Sequence, residues 1–440
     1  MTHTITDQQF VDCFRHSSPY INAFRGHTFV IEFGGELIAE KQFANLVHDI
    51  ALLNSLGIKL ILVHGTRPQI ESRLNARNVA TTYVEGLRIT DYVALECVIE
   101  AAGAVRVEIE SLLSMGLANS PMAGSRIQAT SGNFVTARPL GIIDGIDYQH
   151  TGEVRRIDHE AIQRLLDGGS IVLLSPLGYS PTGETFNLTA SEVATEVACA
   201  LGAAKYISLT NVRGLLDIRK RLIRNLTLKQ AERLVSGKRK LTPEIRNTLA
   251  SAIKACRNGV KRAHLIDRHT DGALLLELFT RDGVGTLIDT DNYEGVRQAT
   301  INDIGGIMEL ILPLENDGTL IRRSRENLEI EIDDYIVVEK DGMIIACASL
   351  HTFGKETCCE LACLAVHPNY QKQDYGDKLL NKVENVAKEK KCTRLFALTT
   401  RATHWFLERG FTISDIKQLP VKKRSMFNYQ RKSRVLVKAL

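Results

Sequence analysis

One acidic side chain interrupts an otherwise apolar segment, and its position suggests acid–base chemistry. Glu360 is the only acid in the stretch CCELACLAV, which has the length and composition of a buried strand. Burying a carboxylate in such a strand is costly unless the group has a use. A carboxylate held there can accept a proton from a reacting group, directly or through water. We predict that Glu360 is a general base, and an edge-strand or salt-bridged glutamate is the alternative.

A loop that contains a glycine follows this strand and leads into a long helix. The loop runs through Gln371, Asp374 and Gly376, and the helix begins near Asp377. Free N–H groups at a helix N-terminus bind phosphate groups well. The segment therefore fits a pyrophosphate site, although an ordinary strand–helix connection has the same outline.

Basic residues concentrate in two segments of the C-terminal third. The stretch IRRSRE contains Arg322, Arg323 and Arg325, and YQRKSR contains Arg431 and Ser433. Arginine binds a carboxylate through two parallel hydrogen bonds, so these segments suit an acidic ligand. A solvated basic tail is the alternative for several of the neighbouring lysines. The net charge of only +4 and the lack of interleaved aromatic residues argue against a nucleic-acid surface.

Short apolar runs alternate with helical periods between about residues 28 and 288. The runs are HTFVIEF, IKLILVHG, GSIVLLSPLG, AKYISLTNV and KRAHLID. This pattern predicts an α/β unit whose mostly parallel sheet is sandwiched by helices. Ligands of such sheets bind at the carboxyl ends of the strands. An additional amphipathic helix is predicted ahead of this unit, over residues 6–25.

A short polar segment, residues 289–295, precedes a second α/β unit over residues 296–440. The pattern there is strand, helix, two strands joined by a turn at Asp341-Gly342, strand, long helix, strand, short helix and a final hairpin. A length of 440 residues suits about two to four domains.

The composition indicates a globular protein of a reducing compartment, with 44% hydrophobic and 24% charged residues. No run of about 18 apolar residues occurs, and the N-terminus has no secretory pattern, so we predict a cytoplasmic protein without membrane contact. The nine cysteines are scattered and odd in number, which argues against a disulfide framework. Cys358, Cys359 and Cys363 lie near His351 and His367 in the sequence, but no second pair of ligands follows, so no metal is predicted.

The C-terminal unit resembles the GCN5-related N-acetyltransferases. Their pyrophosphate loop has the pattern Gln/Arg-x-x-Gly-x-Gly/Ala; Gln371 and Gly376 match it, and Asp374 replaces the first glycine. The segments ATINDIGGIMELI, RRSRENLEIEID, ACLAVHPNY, LFALTTRATHWFLERGF and YQRKSRVL are similar to the bacterial N-acetylglutamate synthase family across residues 296–440. The resemblance implies acetyl-CoA and L-glutamate as substrates, with no permanently bound cofactor.

The resemblance also implies roles for individual residues. Glu360 takes the proton of the attacking amine, and Thr399 is a candidate proton donor to the leaving thiolate because LTTRATHWFLERG contains no tyrosine. Backbone N–H groups of the strand polarise the thioester oxygen. The implied acetyl-CoA contacts are Cys363, Leu364, Val366, Gln371, Asp374 and Gly376. The implied glutamate contacts are Arg323, Lys422, Arg431 and Ser433.

The N-terminal unit resembles the amino acid kinase family across residues 20–288, through FGGELI, VHGTRPQI, EGLRITD, GETFNLTASEVA, SLTNVRGLLD and LTPEIRNTLASAI. Its catalytic positions differ from the family pattern. Glu32 and Glu244 replace the two lysines, and Ser191 replaces the aspartate that orders them. The glycine stretch of the second turn is reduced to Gly65-Thr66-Arg67. Phosphoryl transfer depends on cations around the phosphate oxygens, so we predict an inactive kinase fold.

Arginine-sensitive kinases of that family carry an N-terminal helix and an element similar to LLLELFTRDGVGTLI, and this chain has both. The resemblance implies an allosteric arginine site in which Glu277 pairs with the guanidinium and Gly283 and Gly285 permit close approach. Tyr20 and His264 are further candidates, and a helix-surface role is the alternative for Glu277. Inhibition through rearranged oligomer contacts, in a hexamer, follows by the same analogy.

The predicted domains are therefore a regulatory helix (1–25), an inactive kinase-like domain (26–288), a linker (289–295) and an acetyltransferase domain (296–440). Three functions fit this organisation. The favoured one is a synthase of N-acetylglutamate that begins arginine biosynthesis and is inhibited by arginine. The alternatives are a bifunctional synthase/kinase and a non-catalytic arginine sensor, the latter suggested by Asp374 in the pyrophosphate loop.

Overall fold

Two compact units, Met1–Asp291 and Asn292–Leu440, make up the chain. The structure is a computed structural model that describes residues 6–440 except 41, 117, 119, 238–240, 281, 291–293, 341 and 372–373. Part of the predicted linker, and Asp341 of the predicted hairpin turn, therefore lie outside the described residues. No helix within the described ranges is long and apolar enough to cross a membrane.

The first unit contains helices and strands in alternation. Its helices are α1 Asp7–Phe24, α2 Gly35–Ile38, α3 Gln42–Ser55, α4 Arg67–Ala76, α5 Tyr92–Leu113, α6 His159–Asp167, α7 Ala190–Ala200, α8 Leu228–Ser236, α9 Pro243–Arg257 and α10 Ala273–Phe279. Its strands are β1 Thr28–Phe33, β2 Lys59–His64, β3 Tyr83–Val84, β4 Leu87–Arg88, β5 Ala129–Thr130, β6 Val135–Pro139, β7 Ile142–Ile143, β8 Ile146–Asp147, β9 Gly152–Ile157, β10 Ile171–Leu174, β11 Leu177–Tyr179, β12 Thr185–Asn187, β13 Lys205–Thr210, β14 Asn225–Thr227, β15 Arg262–Asp267 and β16 Thr286–Asp289.

An eight-stranded sheet in the order β14-β16-β15-β13-β1-β2-β10-β5 forms the centre of this unit. Its pairs are parallel except β15 with β16. The residues of β13 are buried throughout, as expected for a strand covered on both faces. The predicted mostly parallel α/β sheet is confirmed. A separate four-stranded sheet, β12-β11-β6-β9, was not predicted. Strands β11 and β12 have three residues each, and β6 and β9 contain charged residues in place of a continuous apolar run.

Helix α1 corresponds to the predicted N-terminal helix. Thr6 begins it with a capping box, in which its hydroxyl accepts from the backbone N–H of Gln9 and the Gln9 side chain accepts in return. The helix continues through Pro19 and ends with the buried side chain of Phe24. The Phe24 ring packs 5.8 Å from the ring of Phe279, so the end of α1 lies against α10.

The second unit is a mixed sheet with helices. Its helices are α11 Ile304–Asn316, α12 Arg325–Ile330, α13 Tyr375–Glu389, α14 Thr403–Leu407 and α15 Val421–Ser425. Its strands are β17 Glu294–Gln298, β18 Tyr335–Lys340, β19 Met343–Phe353, β20 Cys358–Val366, β21 Arg394–Thr399, β22 Thr412–Ser414 and β23 Arg434–Ala439. They pair in the order β17-β18-β19-β20-β21-β23-β22. This arrangement confirms the predicted second α/β domain.

Candidate active site and regulatory site

A bulge in β20 shapes the candidate active site. The pairing of β20 with β19 shifts register between Cys347 and Ser349, and Cys363 has a positive φ of 50°. On its other edge, β20 pairs with β21 only from Cys358 to Leu361. The two parallel strands therefore separate beyond Leu361, and the backbone around Cys363 borders the opening.

The bulge also changes which face of the sheet receives the β20 side chains. Leu361 packs in the cluster that contains α13, whereas Cys363 and Ala365 pack in the cluster that contains α11. Because side chains alternate along a strand, Glu360 lies on the face opposite Leu361. Glu360 and Cys363 thus share one face, beside the opening between the strands.

The predicted general base is almost fully buried and contacts a lysine. The side chain of Glu360 is 5% exposed, and its Oε1 lies 2.7 Å from Nζ of Lys423. Lys423 belongs to α15 and was missed because the run VKKRS reads as a solvated tail. The predicted Lys422 is exposed on the same helix, so the two adjacent lysines differ in environment.

Thr399 ends β21, at the strand that separates from β20. Its hydroxyl accepts hydrogen bonds from the backbone N–H of Ala402 at 2.9 Å and of Arg401 at 3.3 Å. Both contacts use the hydroxyl oxygen as an acceptor. This geometry is compatible with donation of the O–H proton to a third group.

The two predicted arginines meet at the segment between α11 and α12. Nη2 of Arg431 donates to the carbonyl oxygens of Gly318 at 3.1 Å and Thr319 at 3.0 Å. Nη1 of Arg323 donates to the carbonyl of Ile321 at 2.9 Å. Both guanidinium groups contact this one segment, whereas Ser433 makes no side-chain hydrogen bond to any residue that the structure describes.

The guanidinium of Arg323 also lies close to the β20 bulge. The neighbouring Cys347 thiol lowers the pKa of the Cys363 thiol, and Arg323 acts in the same direction against the effect of burial. The Tyr335 hydroxyl is buried on this face beside the Cys363 thiol and also lowers its pKa. A guanidinium, a phenol and a thiol therefore border the opening.

The loop after β20 leads into α13 through Asp374. Asp374 precedes α13 with a φ of 61°, a conformation that glycine adopts freely and that aspartate tolerates better than most residues. Its carboxylate is exposed. A Cβ on Gly376 would lie 2.9 Å from the Trp405 ring, which explains the glycine. Nε2 of Gln371 donates to the carbonyl of Val366 at 3.4 Å. Residues 372 and 373 lie outside the described part.

The cysteines of the second unit differ from the expectation in one respect. Cys359 and Cys392 form a disulfide, which the sequence reading did not foresee. Cys358 and Cys363 are free and buried. Among the described residues, no group of three or more metal-ligating side chains comes together.

The kinase-like positions hold acids with partners of their own. The Tyr206 hydroxyl donates to the carboxylate of Glu32, and burial raises the pKa of Glu32. Oε1 of Glu244 accepts from the side chain of Asn211 at 3.0 Å and from its backbone N–H at 3.3 Å. The turns remain tight, since a Cβ on Gly35 would lie 2.8 Å from the carbonyl oxygen of Gly65. The fold of the turn is retained, but carboxyl side chains stand at the two positions where the family pattern has lysines.

The predicted arginine-site residues come together around Glu277. Its Oε1 lies 2.8 Å from Nδ1 of His264, and its Oε2 accepts from the N–H groups of Val284 at 2.7 Å and Gly285 at 2.8 Å. Gly283 has a φ of 58°, and a Cβ there would lie 2.4 Å from Oε2 of Glu277. Glu277 is 8% exposed and is therefore not a helix-surface acid.

Lys205 completes this cluster and was missed in the sequence. Its Nζ lies 3.2 Å from Nε2 of His264 and 4.8 Å from the centre of the Phe24 ring. Burial and the ammonium of Lys205 lower the pKa of His264 to about 4. His264 is therefore neutral at pH 7, with Nδ1–H donating to Glu277 and Nε2 accepting from Lys205. The Tyr20 ring lies 6.0 Å from that of Phe24, at the edge of the cluster.

Comparisons with known proteins assign both units. The profile of the Amino acid kinase family matches residues 27–267, and that of the Acetyltransferase (GNAT) family matches residues 307–411. The amino-acid acetyltransferase of Pseudomonas fluorescens (strain SBW25) is 52% identical over 436 residues, which cover 98% of this chain and 100% of the relative. This chain belongs to the amino-acid acetyltransferase family. It is therefore an acyltransferase, as predicted.

Two further relatives agree with this assignment. The amino-acid acetyltransferase of Ectopseudomonas mendocina (strain ymp) is 53% identical, over 98% of this chain and 99% of the relative. The crystal structure of N-acetylglutamate synthase from Neisseria gonorrhoeae complexed with coenzyme A and L-arginine matches with a TM-score of 0.89 and 38% identity, over 98% of this chain and 99% of that one. The same synthase complexed with coenzyme A and N-acetyl-glutamate matches with a TM-score of 0.63. The predicted family resemblance of this amino-acid acetyltransferase is confirmed.

Proposed function

We propose that the chain is an N-acetylglutamate synthase, which transfers the acetyl group of acetyl-CoA to the α-amine of L-glutamate. The main observation behind this proposal is the buried Glu360 carboxylate beside the opening between β20 and β21, already paired with an ammonium group at 2.7 Å. A carboxylate in that environment is suited to take a proton from an amine. The complexes of the Neisseria synthase with coenzyme A and N-acetyl-glutamate support the choice of substrates.

Acetyl-CoA binds along β20 and the loop that follows it. The thioester enters the opening, where the N–H groups of Cys363 and Leu364 polarise its oxygen and the backbone of Val366 holds the pantetheine arm. The pyrophosphate binds at the N-terminus of α13, between Gln371 and Gly376. The left-handed Asp374 supports the required turn, and its exposed carboxylate leaves the anion to the backbone.

Glutamate binds with its two carboxylates against the arginines. Arg323 lies beside the bulge and Arg431 holds the segment between α11 and α12, so one cation is available for each carboxylate. Ser433 and Lys422 lie on the same C-terminal stretch and complete the assignment. The substrate amine then points to Glu360.

The reaction requires few groups. Glu360 takes a proton from the α-ammonium, and the free amine attacks the carbonyl carbon of the thioester. The N–H groups at the bulge stabilise the negative oxygen, and the C–S bond breaks. The new amide nitrogen gives up its second proton, which reaches the departing thiolate through Thr399 or water, so Thr399 ends as a hydroxyl and CoA leaves as the thiol. Glu360 releases its proton to water. Because a thiolate is a stable leaving group, this last step is not demanding.

Arginine acts as a feedback inhibitor from the cluster around Glu277. Its guanidinium pairs with that carboxylate beside Gly283 and Gly285, and its own carboxylate faces the ammonium of Lys205. The complex of the Neisseria synthase with L-arginine supports this assignment. The enzyme would then begin arginine biosynthesis in the cytoplasm as a homo-oligomer, a hexamer by family resemblance, without nucleic acid or membrane partners.

The kinase-like unit performs no phosphoryl transfer in this proposal. Glu32 and Glu244 stand where a kinase holds cations on the phosphate oxygens. A lysine 4 Å from a phosphate oxygen attracts it by about 4 kcal/mol, for an effective dielectric constant near 20. A glutamate carboxylate at the same position repels the phosphate by a similar amount.

Thiol release tests the whole assignment. Purified protein is mixed with acetyl-CoA and L-glutamate, and free thiol is followed with and without L-arginine. Glutamate-dependent thiol that arginine suppresses is expected. If arginine does not alter thiol release, the proposal that arginine inhibits the enzyme is wrong. If no thiol is released at all, a non-catalytic arginine sensor is favoured. Formation of ADP from ATP and N-acetylglutamate would show a bifunctional enzyme instead.

A further inference from the structure

The contact between Lys423 and Glu360 has the form of a reactant complex. The substrate of this enzyme must present an ammonium group to a buried carboxylate that removes its proton. Lys423 already presents one, with Nζ at 2.7 Å from Oε1 of a carboxylate whose side chain is 5% exposed. We propose that Lys423 is a site of self-acetylation, modified by this active site with acetyl-CoA when no glutamate occupies it. The inference rests on the proposed function of Glu360.

The backbone that carries Lys423 is held in place. The N–H of Val421, at the start of α15, donates to Oε1 of Glu356 at 3.0 Å. Leu419 precedes the helix and packs in a buried cluster with Cys358 and Phe396, which belong to β20 and β21. The approach of the lysine to Glu360 is therefore anchored at both strands that border the thioester opening.

The environment of Lys423 differs from that of a surface lysine. Its side chain is 26% exposed, whereas Lys422, one residue earlier on the same helix, is exposed. A lysine in water is protonated almost completely at pH 7 and reacts slowly with thioesters. A carboxylate in contact with Nζ offers a route for the proton, and Lys422 has no such carboxylate among the residues that the structure describes. The acetylation rate of Lys422 is therefore the internal standard against which the rate of Lys423 is compared.

The chemical step balances without a further reactant. The Lys423 ammonium gives one proton to Glu360, and the free amine attacks the carbonyl carbon of acetyl-CoA. The new N–C bond forms, the C–S bond breaks, and the second proton of the nitrogen goes to the departing thiolate. The products are Nε-acetyl-lysine and CoA thiol, and Glu360 releases its proton to water.

The two acceptors compete for one base. Glutamate can present its amine to Glu360 only when Lys423 moves away, so bound glutamate slows the modification. Acetylation removes the charge of Lys423 and with it the ion pair. A modified enzyme therefore has a Glu360 carboxylate without this counter-ion.

Labelling of the full chain tests the proposal. The protein is incubated without glutamate in acetyl-CoA that carries deuterium in its acetyl group, and peptides containing Lys422 and Lys423 are sequenced by mass spectrometry over time. Because a positioned base accelerates proton transfer roughly a hundredfold or more, we expect label at Lys423 roughly a hundredfold faster than at Lys422. Glutamate should slow it, E360Q should reduce it to the rate of Lys422, and K417R, at an exposed lysine ahead of α15, should retain it.

Controls separate this proposal from the proposed function. Glutamate turnover is measured with the same preparation, and the thermal midpoint of E360Q is compared with that of the wild type. If E360Q does not fold, E360D replaces it and should retain part of the label. Equal rates at both lysines, in protein that turns over glutamate, would overturn self-acetylation alone. If the wild-type protein shows neither glutamate turnover nor label at Lys423, the proposed function of Glu360 is rejected. If Lys423 is labelled but glutamate is not acetylated, only the assignment of L-glutamate as the acceptor is rejected.

Discussion

His264 and Glu277 share a hydrogen bond of 2.8 Å between Nδ1 and Oε1, in a cluster that excludes nearly all water. Lys205 contacts the other ring nitrogen of His264, so the ammonium, the imidazole and the carboxylate form a series of consecutive polar contacts. The charges at its two ends have opposite signs and stand apart. This arrangement is the basis for the arginine site proposed above.

E277Q should weaken the response to arginine without lowering basal turnover. The amide oxygen of glutamine can still accept from the N–H groups of Val284 and Gly285, so the loop keeps its hydrogen bonds. The charge that pairs with the guanidinium is lost, and a hydrogen bond to a charged group contributes about 1.5–3 kcal/mol. The arginine concentration for half-inhibition should therefore rise roughly tenfold to a hundredfold, measured by thiol release.

E232Q is the matched control, because Glu232 pairs with the exposed Arg257 in the same unit, away from this cluster. Its half-inhibition concentration should stay at the wild-type value. An E277Q protein inhibited at unchanged arginine concentrations would exclude Glu277 from the effector site.

E360Q should lower kcat much more than it changes the affinity for CoA. Glutamine keeps the size of the side chain but cannot accept a proton from the amine, and general bases accelerate such steps about 10²–10⁴-fold. Thiol release gives kcat, and calorimetry with CoA gives its Kd. E389Q, at the exposed end of α13, is the control and should turn over normally. If E360Q turns over at the wild-type rate, Glu360 is not the general base and serves only as the ion-pair partner of Lys423.

The sequence predicted the acids of both candidate sites but not the lysines that lie beside them. Glu360 is the only acid in an apolar strand, and Glu277 lies in a segment that resembles the arginine-sensitive kinases. Lys423 and Lys205 meet them only because distant elements pack together, and periodicity carries no information about such contacts. Lys205 left one faint signal, a charge inside the apolar run AKYISLTNV.

The same limit explains what was missed in the fold. The long strands such as β13 were predicted because their apolar runs are continuous. Strands of two or three residues, such as β7 and β12, are too short to show a period. The Cys359–Cys392 disulfide joins residues whose proximity depends on the pairing of β20 with β21.

D49N should stabilise the protein at pH 8 but not at pH 4. Burial, with a contribution from the charge of Asp271, raises the pKa of Asp49 to about 7. An unfolded aspartate ionises near pH 3.9, so the folded state loses stability as the pH rises from about 4 to 7. Discounted for partial solvent exposure, the gain in D49N above that range is about 2 kcal/mol.

Thermal midpoints of D49N and the wild type, measured from pH 4 to 8, check this dependence. D271N should show a smaller gain of the same sign, since it removes only the repulsion. Equal midpoints of D49N and the wild type across the whole range would mean that Asp49 titrates as it does in water.

R323M should raise the KM for glutamate far more than R322M does. The two arginines are adjacent, but Arg322 is exposed, whereas Arg323 is partly buried and lies close to Cys363 and Tyr335 at the bulge. Methionine keeps an unbranched side chain and removes the charge and the hydrogen bonds. Losing a charged hydrogen bond to a substrate carboxylate costs about 1.5–3 kcal/mol, so the KM should rise roughly tenfold to a hundredfold.

The affinity for CoA distinguishes a substrate contact from a structural one in this pair. A binding role for Arg323 leaves the Kd for CoA and the thermal midpoint near their wild-type values, because both depend on groups other than the acceptor carboxylates. If Arg323 instead has a structural role at the bulge, R323M should lower the thermal midpoint. It should also weaken the binding of both CoA and glutamate, since the same backbone would face the thioester. If R322M and R323M have equal KM values for glutamate, the carboxylates are bound elsewhere.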